Sequence, residues 1–233
     1  MSQIVAIAGF SGSGKSSSLK YLDPKTTFII SCTPKQLSIP GFRKNYKKLA
    51  KDSEGNWNGN WYFTNKFDQI KKIMTIVDKK MPEIKTLVLD DCNYLLSEEV
   101  MSRAFEKGYD KHNEIANHYY YFILDSMTLR DDLKVLFISH LMNDGTDIDP
   151  HYKLYTVGKM LDTKVNVDGL FNYIIYAEKL DTGGEDPEFK FRTRPGINDT
   201  CRSSAGCFEE KYIEPNAKLV IDTISKFENG EED

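Results

Sequence analysis

The residues best suited to chemistry stand together near the start of the chain. Gly9-Phe10-Ser11-Gly12-Ser13-Gly14-Lys15-Ser16 places glycines at the first and sixth positions of a run that closes on a lysine and a hydroxyl. Glycines let the backbone turn so that successive N–H groups point into one concavity, which suits an anion. A helix opening directly after the loop adds its own free N–H groups. A lysine at this spacing reaches the β- and γ-phosphates of a nucleotide, and the serine hydroxyl ligates Mg²⁺. Gly9, Phe10, Ser11, Gly12, Ser13, Gly14, Lys15, Ser16 and Ser17 are therefore the expected binding residues for ATP, or a close relative, with Mg²⁺.

Two further clusters fit a nucleotide site. Leu87-Val88-Leu89-Asp90-Asp91 is an apolar strand ending in two carboxylates. Asp90 is expected on the metal side, with Ser16. Asp91, one residue later, is placed to orient or deprotonate an attacking water. Val135-Leu136-Phe137-Ile138 ends in Ser139-His140, polar residues that in such a site touch the γ-phosphate and report its loss. Lys15, Asp91, Ser139 and His140 are the expected catalytic group.

The surrounding pattern must hold these residues at the ends of strands. Apolar runs at 4–8, 26–31, 86–89 and 135–138 predict buried strands, and 172–178 and 189–193 predict two more joined across Gly183-Gly184. Helical spacing predicts helices over 15–22, 65–80, 97–107, 112–130 and 216–227, with a short one over 157–164. Residues 144–155 are expected as a loop or small hairpin, and 45–64 as an exposed hairpin. Strands alternating with helices predict an α/β fold with a mostly parallel sheet flanked by helices. One domain over 1–227, with 40–65 as a hairpin insertion and an acidic disordered tail over 228–233, accounts for the chain.

Composition narrows the classes. No apolar run is long enough for a membrane span, and the first residues carry no basic leader, so a cytoplasmic protein is expected. The four cysteines have no metal-ligand spacing and are expected as reduced thiols. Net charge is −4, which the tail alone supplies, leaving the remainder neutral. Within that remainder, 35–51 holds Lys35, Arg43, Lys44, Lys47, Lys48 and Lys51 with no acid.

Several segments together resemble a known group. They are 9–19, 87–96, Glu106-Lys107-Gly108-Tyr109-Asp110-Lys111, 129–140, Thr156-Val157-Gly158-Lys159-Met160-Leu161 and 193–208. The chain resembles phage-encoded RecA-like P-loop ATPases of the single-strand-annealing type. The resemblance implies a RecA-like core, ATP with Mg²⁺, single-stranded DNA as partner, host cytoplasm as location, and self-association into a ring or filament. It also implies a basic residue acting in trans on a neighbour's ATP site, for which Lys159, Arg194 and Arg202 are the candidates. One departure stands out. Many RecA-like ATPases carry a catalytic Glu near the end of the second strand, whereas Ser31-Cys32-Thr33-Pro34-Lys35 holds no carboxylate.

For DNA, Arg43, Lys44, Lys47 and Lys48 offer phosphate contacts, and Trp57 and Trp61 offer stacking surfaces; the competing reading is a solvated hairpin whose aromatics pack on the sheet edge. Two other readings share the phosphate loop. One is a nucleoside or nucleotide kinase, which needs an acceptor pocket and an Arg-rich lid. The other is a nucleotide-gated structural protein that does not turn over.

Overall fold

Runs that are apolar at every residue become strands covered on both faces. The computed structural model describes residues 1–158 and 160–231. In chain order its strands are β1 (Gln3–Ala8), β2 (Thr27–Ser31), β3 (Ala50–Lys51), β4 (Trp57–Asn58), β5 (Trp61–Phe63), β6 (Thr86–Asp90), β7 (Lys134–Ser139), β8 (Leu141–Asn143), β9 (Tyr152–Leu154), β10 (Tyr173–Leu180), β11 (Glu188–Arg192) and β12 (Tyr212–Ile213). The α-helices are α1 (Phe42–Asn45), α2 (Phe67–Lys80), α3 (Tyr94–Ser102), α4 (Asp110–Met127) and α5 (Ala217–Asn229).

Eight strands form one sheet in the order β12-β11-β10-β1-β7-β6-β2-β5. From β10 to β5 every neighbouring pair is parallel, and β11 and β12 extend the sheet antiparallel. Parallel pairs need crossovers, and these put helices on both faces. Along β1, Ile4, Ala6 and Ala8 pack toward α2, α3 and α4. Val5 and Ile7 pack toward Leu19, Leu22, Phe42, Tyr46 and α5. The chain is thus a mixed α/β protein with a mostly parallel sheet flanked by helices. No helix among the described residues is long and apolar enough to cross a membrane. All four cysteines are buried and free.

The structure departs from the sequence pattern in four places. The helix expected over 15–22 is a six-residue 3-10 helix, Ser16–Tyr21, whose short length limits any dipole at its start. The exposed hairpin expected over 45–64 is a ribbon only between β3 and β4, and β5 instead joins the main sheet beside β2. Trp61 is the reason. Its ring meets Phe42 edge-on at 5.7 Å, and its Nε1 donates to Ser31 Oγ at 3.0 Å. An indole gains more from covering the sheet edge than from standing in water. The helix expected over 157–164 is a π-turn at Leu161–Val165. At the C-terminal end, Glu228 and Asn229 of the expected tail belong to α5, which Gly230 closes in a left-handed conformation. Glu232 and Asp233 lie outside the described residues.

Half-burial of Trp61 makes it a stability residue. Trp61→Ala is expected to cost about 2 kcal/mol, below the ~3–5 of a fully buried ring. Urea denaturation checks this, and an unchanged midpoint would return the side chain to the solvent.

Candidate functional site

The site is built where β1, β6 and β7 end side by side. The turn after β1 is tight because β10 crowds it: a Cβ on Gly9 would overlap the Ala177 carbonyl oxygen. Gly14 has φ of 90°, a conformation that side chains other than glycine resist. The loop thereby folds back over Lys15, which is 5% exposed. Its Nζ donates to the carbonyls of Gly9 at 2.7 Å and Phe10 at 2.9 Å. Burial pulls this ammonium down to about 8, against the attraction of Asp91 and Asp90. A buried cation held only by neutral carbonyls favours an anion beside it.

Two buried hydroxyls point the same way. Ser13 Oγ and Thr33 Oγ1 have no hydrogen-bond partner among the described residues. Both residues line a cleft of about 410 Å³, together with the loop from Ser11 to Ser17, Lys35, Asp90, Asp91 and His140. Orphaned polar atoms of this kind are satisfied by a polar ligand or by water.

Asp90 ends β6 and is 4% exposed. Ser16 Oγ donates to its Oδ1 at 3.0 Å. Two neighbouring ligands of an octahedral Mg²⁺, each at ~2.1 Å, stand about 3 Å apart, so this pair fits two adjacent positions of such an ion. Burial, then the adjacent Asp91, pushes the Asp90 carboxyl up to about 7, against the Ser16 hydrogen bond and the charges of Lys35 and Lys15. Among the described residues no cluster of three or more His, Cys, Asp or Glu side chains forms a metal cage. The remaining ligands of a Mg²⁺ here would come from phosphate and water.

Asp91 sits just past β6 with φ of 58°. This left-handed conformation is uncommon outside glycine, Asn and Asp, and it turns the carboxylate back into the cleft. Its Oδ1 lies 3.7 Å from His140 Nε2. Burial opposes the Asp91 carboxylate, yet His140 beside it and the charges of Lys35 and Lys15 hold it below the usual range. It is therefore ionised when Asp90 is half protonated. The two acids differ because Asp90 is enclosed while Asp91 faces the cations.

Strand β7 lies between β1 and β6, so its end falls between Lys15 and the acids. Of the two residues there, His140 lines the cleft. Ser139 is buried, and its Oγ lies 3.4 Å from the His140 carbonyl, outside the cleft lining. His140 is further fixed by Asn93, which accepts from its backbone N–H at 3.2 Å, and by the Tyr94 ring edge-on at 5.9 Å.

The other expected residues scatter. Arg43, Lys44, Lys47 and Lys48 are exposed on and after α1. Trp57 is half buried under Lys51, whose Nζ stands 5.1 Å from the ring, and Trp61 is part of the sheet edge. Neither indole is a free stacking surface. Arg194 gives its guanidinium to the carbonyls of Phe208 and Glu209. Arg202 is half buried, with Nε 3.4 Å from the Thr200 carbonyl, and its backbone bridges Ile174. Lys159 lies outside the described residues. Lys35 was missed as a cleft residue. Its signal was its place directly after β2, where parallel strands deliver loops to one edge.

The fold and cleft are compatible with a Rossmann-like or a P-loop arrangement. A scan of the chain against protein-family models and a search of curated proteins both return no match.

The Asp90 environment carries a stability cost with a definite sign. A carboxyl whose folded pKa lies near 7, above ~3.9 unfolded, favours folding at low pH and loses that contribution as pH rises through 7. Without Mg²⁺ or nucleotide, Asp90→Asn should raise the thermal midpoint at pH 8 by several degrees, given about 2–4 °C per kcal/mol for this size. At pH 5 the gain should shrink. Calorimetry at the two pH values reads the difference, and an equal gain at both would contradict the burial argument.

Proposed function

We propose that the chain is a RecA-like P-loop ATPase that binds ATP with Mg²⁺ along Gly9–Ser16. The observation that carries this reading is the buried Lys15 ammonium in a glycine-turned loop whose next residue, Ser16, shares a hydrogen bond with Asp90, 74 residues on in sequence. Phosphate would meet the loop N–H groups, Lys15 and the Ser13 hydroxyl. Ser16 and Asp90 would hold the ion, which when bound offsets charge on the phosphoryl oxygens. Asp91, backed by His140, stands where it can orient or accept a proton from water.

Hydrolysis is favoured over phosphoryl transfer to a small acceptor. The cations lining the cleft are Lys15 and Lys35, with no arginine, so an Arg-rich lid has no counterpart there. Arg192 is held inside the fold by Glu178 and Asp199, and Arg194, though exposed, gives its guanidinium to the Phe208 and Glu209 carbonyls. The missing acid near the end of β2 makes Asp91 the candidate catalytic carboxylate and implies slow turnover. A structural protein that binds without turnover is distinguished by the same assay.

Lys15→Ala should abolish ATP hydrolysis and weaken binding with the fold retained. Asp91→Asn keeps a residue that tolerates the left-handed backbone. It should bind ATP and slow hydrolysis at least ~100-fold. Steady-state phosphate release checks both. Wild-type turnover in Lys15→Ala would end the ATPase reading, and wild-type turnover in Asp91→Asn would move the base elsewhere.

We further propose single-stranded DNA as the partner, in strand annealing or recombination, with self-association into a ring or filament. This rests on the resemblance of the sequence and on the exposed run Arg43, Lys44, Lys47 and Lys48. Phosphate contacts release counterions, with a log–log salt slope of about −0.7 per contact on single strands. Replacing Lys47 and Lys48 together by Ala should make the slope shallower by about 1.4. Anisotropy titrations against oligo-dT at several salt concentrations measure it. An unchanged slope would place the DNA on another surface.

A further inference from the structure

A triphosphate in this loop has two ends, and the metal side fixes their direction. Ser16 and Asp90 lie toward β6, on one side of β1. Strand β10 lies on the other side of β1. If the terminal phosphate meets the metal, the phosphate joined to the ribose leaves the loop toward β10. The inference rests on the phosphate-loop reading above.

Two side chains wait on that side. Lys179 and Phe189 are register partners across β10 and β11, so they stand side by side on one face. It is the face on which Ala177 and Phe191 pack toward the 3-10 helix after the loop. Lys179 Nζ lies 3.2 Å from where a Cβ of Gly12 would stand. Phe189 Cδ1 lies 3.5 Å from the corresponding point on Gly14. The lysine and the ring are also 6.0 Å apart, within cation–π reach. Phe189 is 40% exposed, so the core does not use its full surface. Lys179 has no ion-pair partner among the described residues. An open aromatic ring and an unpaired ammonium thus flank the loop on the side opposite the metal.

We propose that the β10–β11 hairpin is the nucleoside subsite of this loop. The ring of Phe189 stacks on a planar base, and Lys179 binds the phosphate nearest the ribose. The ligand class is a nucleoside di- or triphosphate rather than inorganic polyphosphate.

The test is calorimetric binding of ATP and of inorganic tripolyphosphate, each with Mg²⁺, to the wild type and to Phe189→Ala, Phe189→Leu and Lys179→Ala. Phe189→Leu keeps apolar bulk on the strand and removes the π face, which separates stacking from folding. Both Phe189 variants should lose roughly five- to a hundredfold in ATP affinity. Their affinity for tripolyphosphate should stay within about twofold of the wild type. Lys179→Ala should weaken ATP, more at low salt than at high salt. Equal losses for ATP and tripolyphosphate in the Phe189 variants, or no loss for ATP, would overturn the subsite while leaving the phosphate loop standing. Unchanged ATP affinity in Lys179→Ala would overturn the lysine contact. A wild type that binds neither ligand would overturn both the subsite and the loop reading.

Discussion

One buried ammonium organises the site. Lys15 is enclosed by a loop that can close over it only because Gly9 lets the backbone press against β10. Its partners are two backbone carbonyls, which stabilise a cation less than a carboxylate does. Asp90 and Asp91 approach from the neighbouring side and attract it without forming an ion pair. The result is a buried lysine beside two acids with which it forms no direct pair. The enclosed Asp90, pushed toward neutrality, is the mirror of the same constraint. Burial opposes the charged form of both groups.

The sheet order converts that pair of charges into a site with a direction. Because β7 lies between β1 and β6, His140, the residue that follows it, enters between the lysine and the acids. The β8–β9 hairpin starts directly after His140, and its far strand brings the Tyr152 ring within 5.4 Å of Phe10 in the loop. The loop, the histidine and the hairpin therefore share contacts. On the other side of β1, β10 and β11 carry Lys179 and Phe189 over the loop. One strand order thus decides which side chains flank the loop on each side.

The late arginines illustrate how tertiary contacts sort charges. Arg192 is 6% exposed and binds Glu178 at 2.6 Å and Asp199 at 2.8 Å, above the Tyr176 ring. A pairing that complete is structural, and removing one partner would leave a buried charge. Arg194 closes the carbonyls of the 208–209 turn. Lysines at 35, 47, 48 and 179 remain exposed at strand and turn ends. An exposed lysine keeps its hydration and its freedom to meet a ligand, whereas a guanidinium fork is easily spent on carbonyls and carboxylates within the fold.

The spacing of glycines, lysine and serine determined the loop, because those residue types act through local backbone geometry. Fully apolar runs determined β1, β6 and β7, and the acids and histidine at their ends were visible for the same reason. The extent of the sheet edge was not visible. For Trp61 a stacking surface and packing on the sheet edge both stood open until Ser31 and Phe42, remote in sequence, supplied its hydrogen bond and its packing. The choice of His140 over Ser139 was likewise undecided, since alternation along β7 says that they face opposite ways but not which way. Lys179 and Phe189 carried no local signal. Their roles come from which strands lie beside β1, and strand order is set by packing the two faces of the sheet, a property of the whole chain rather than of any segment.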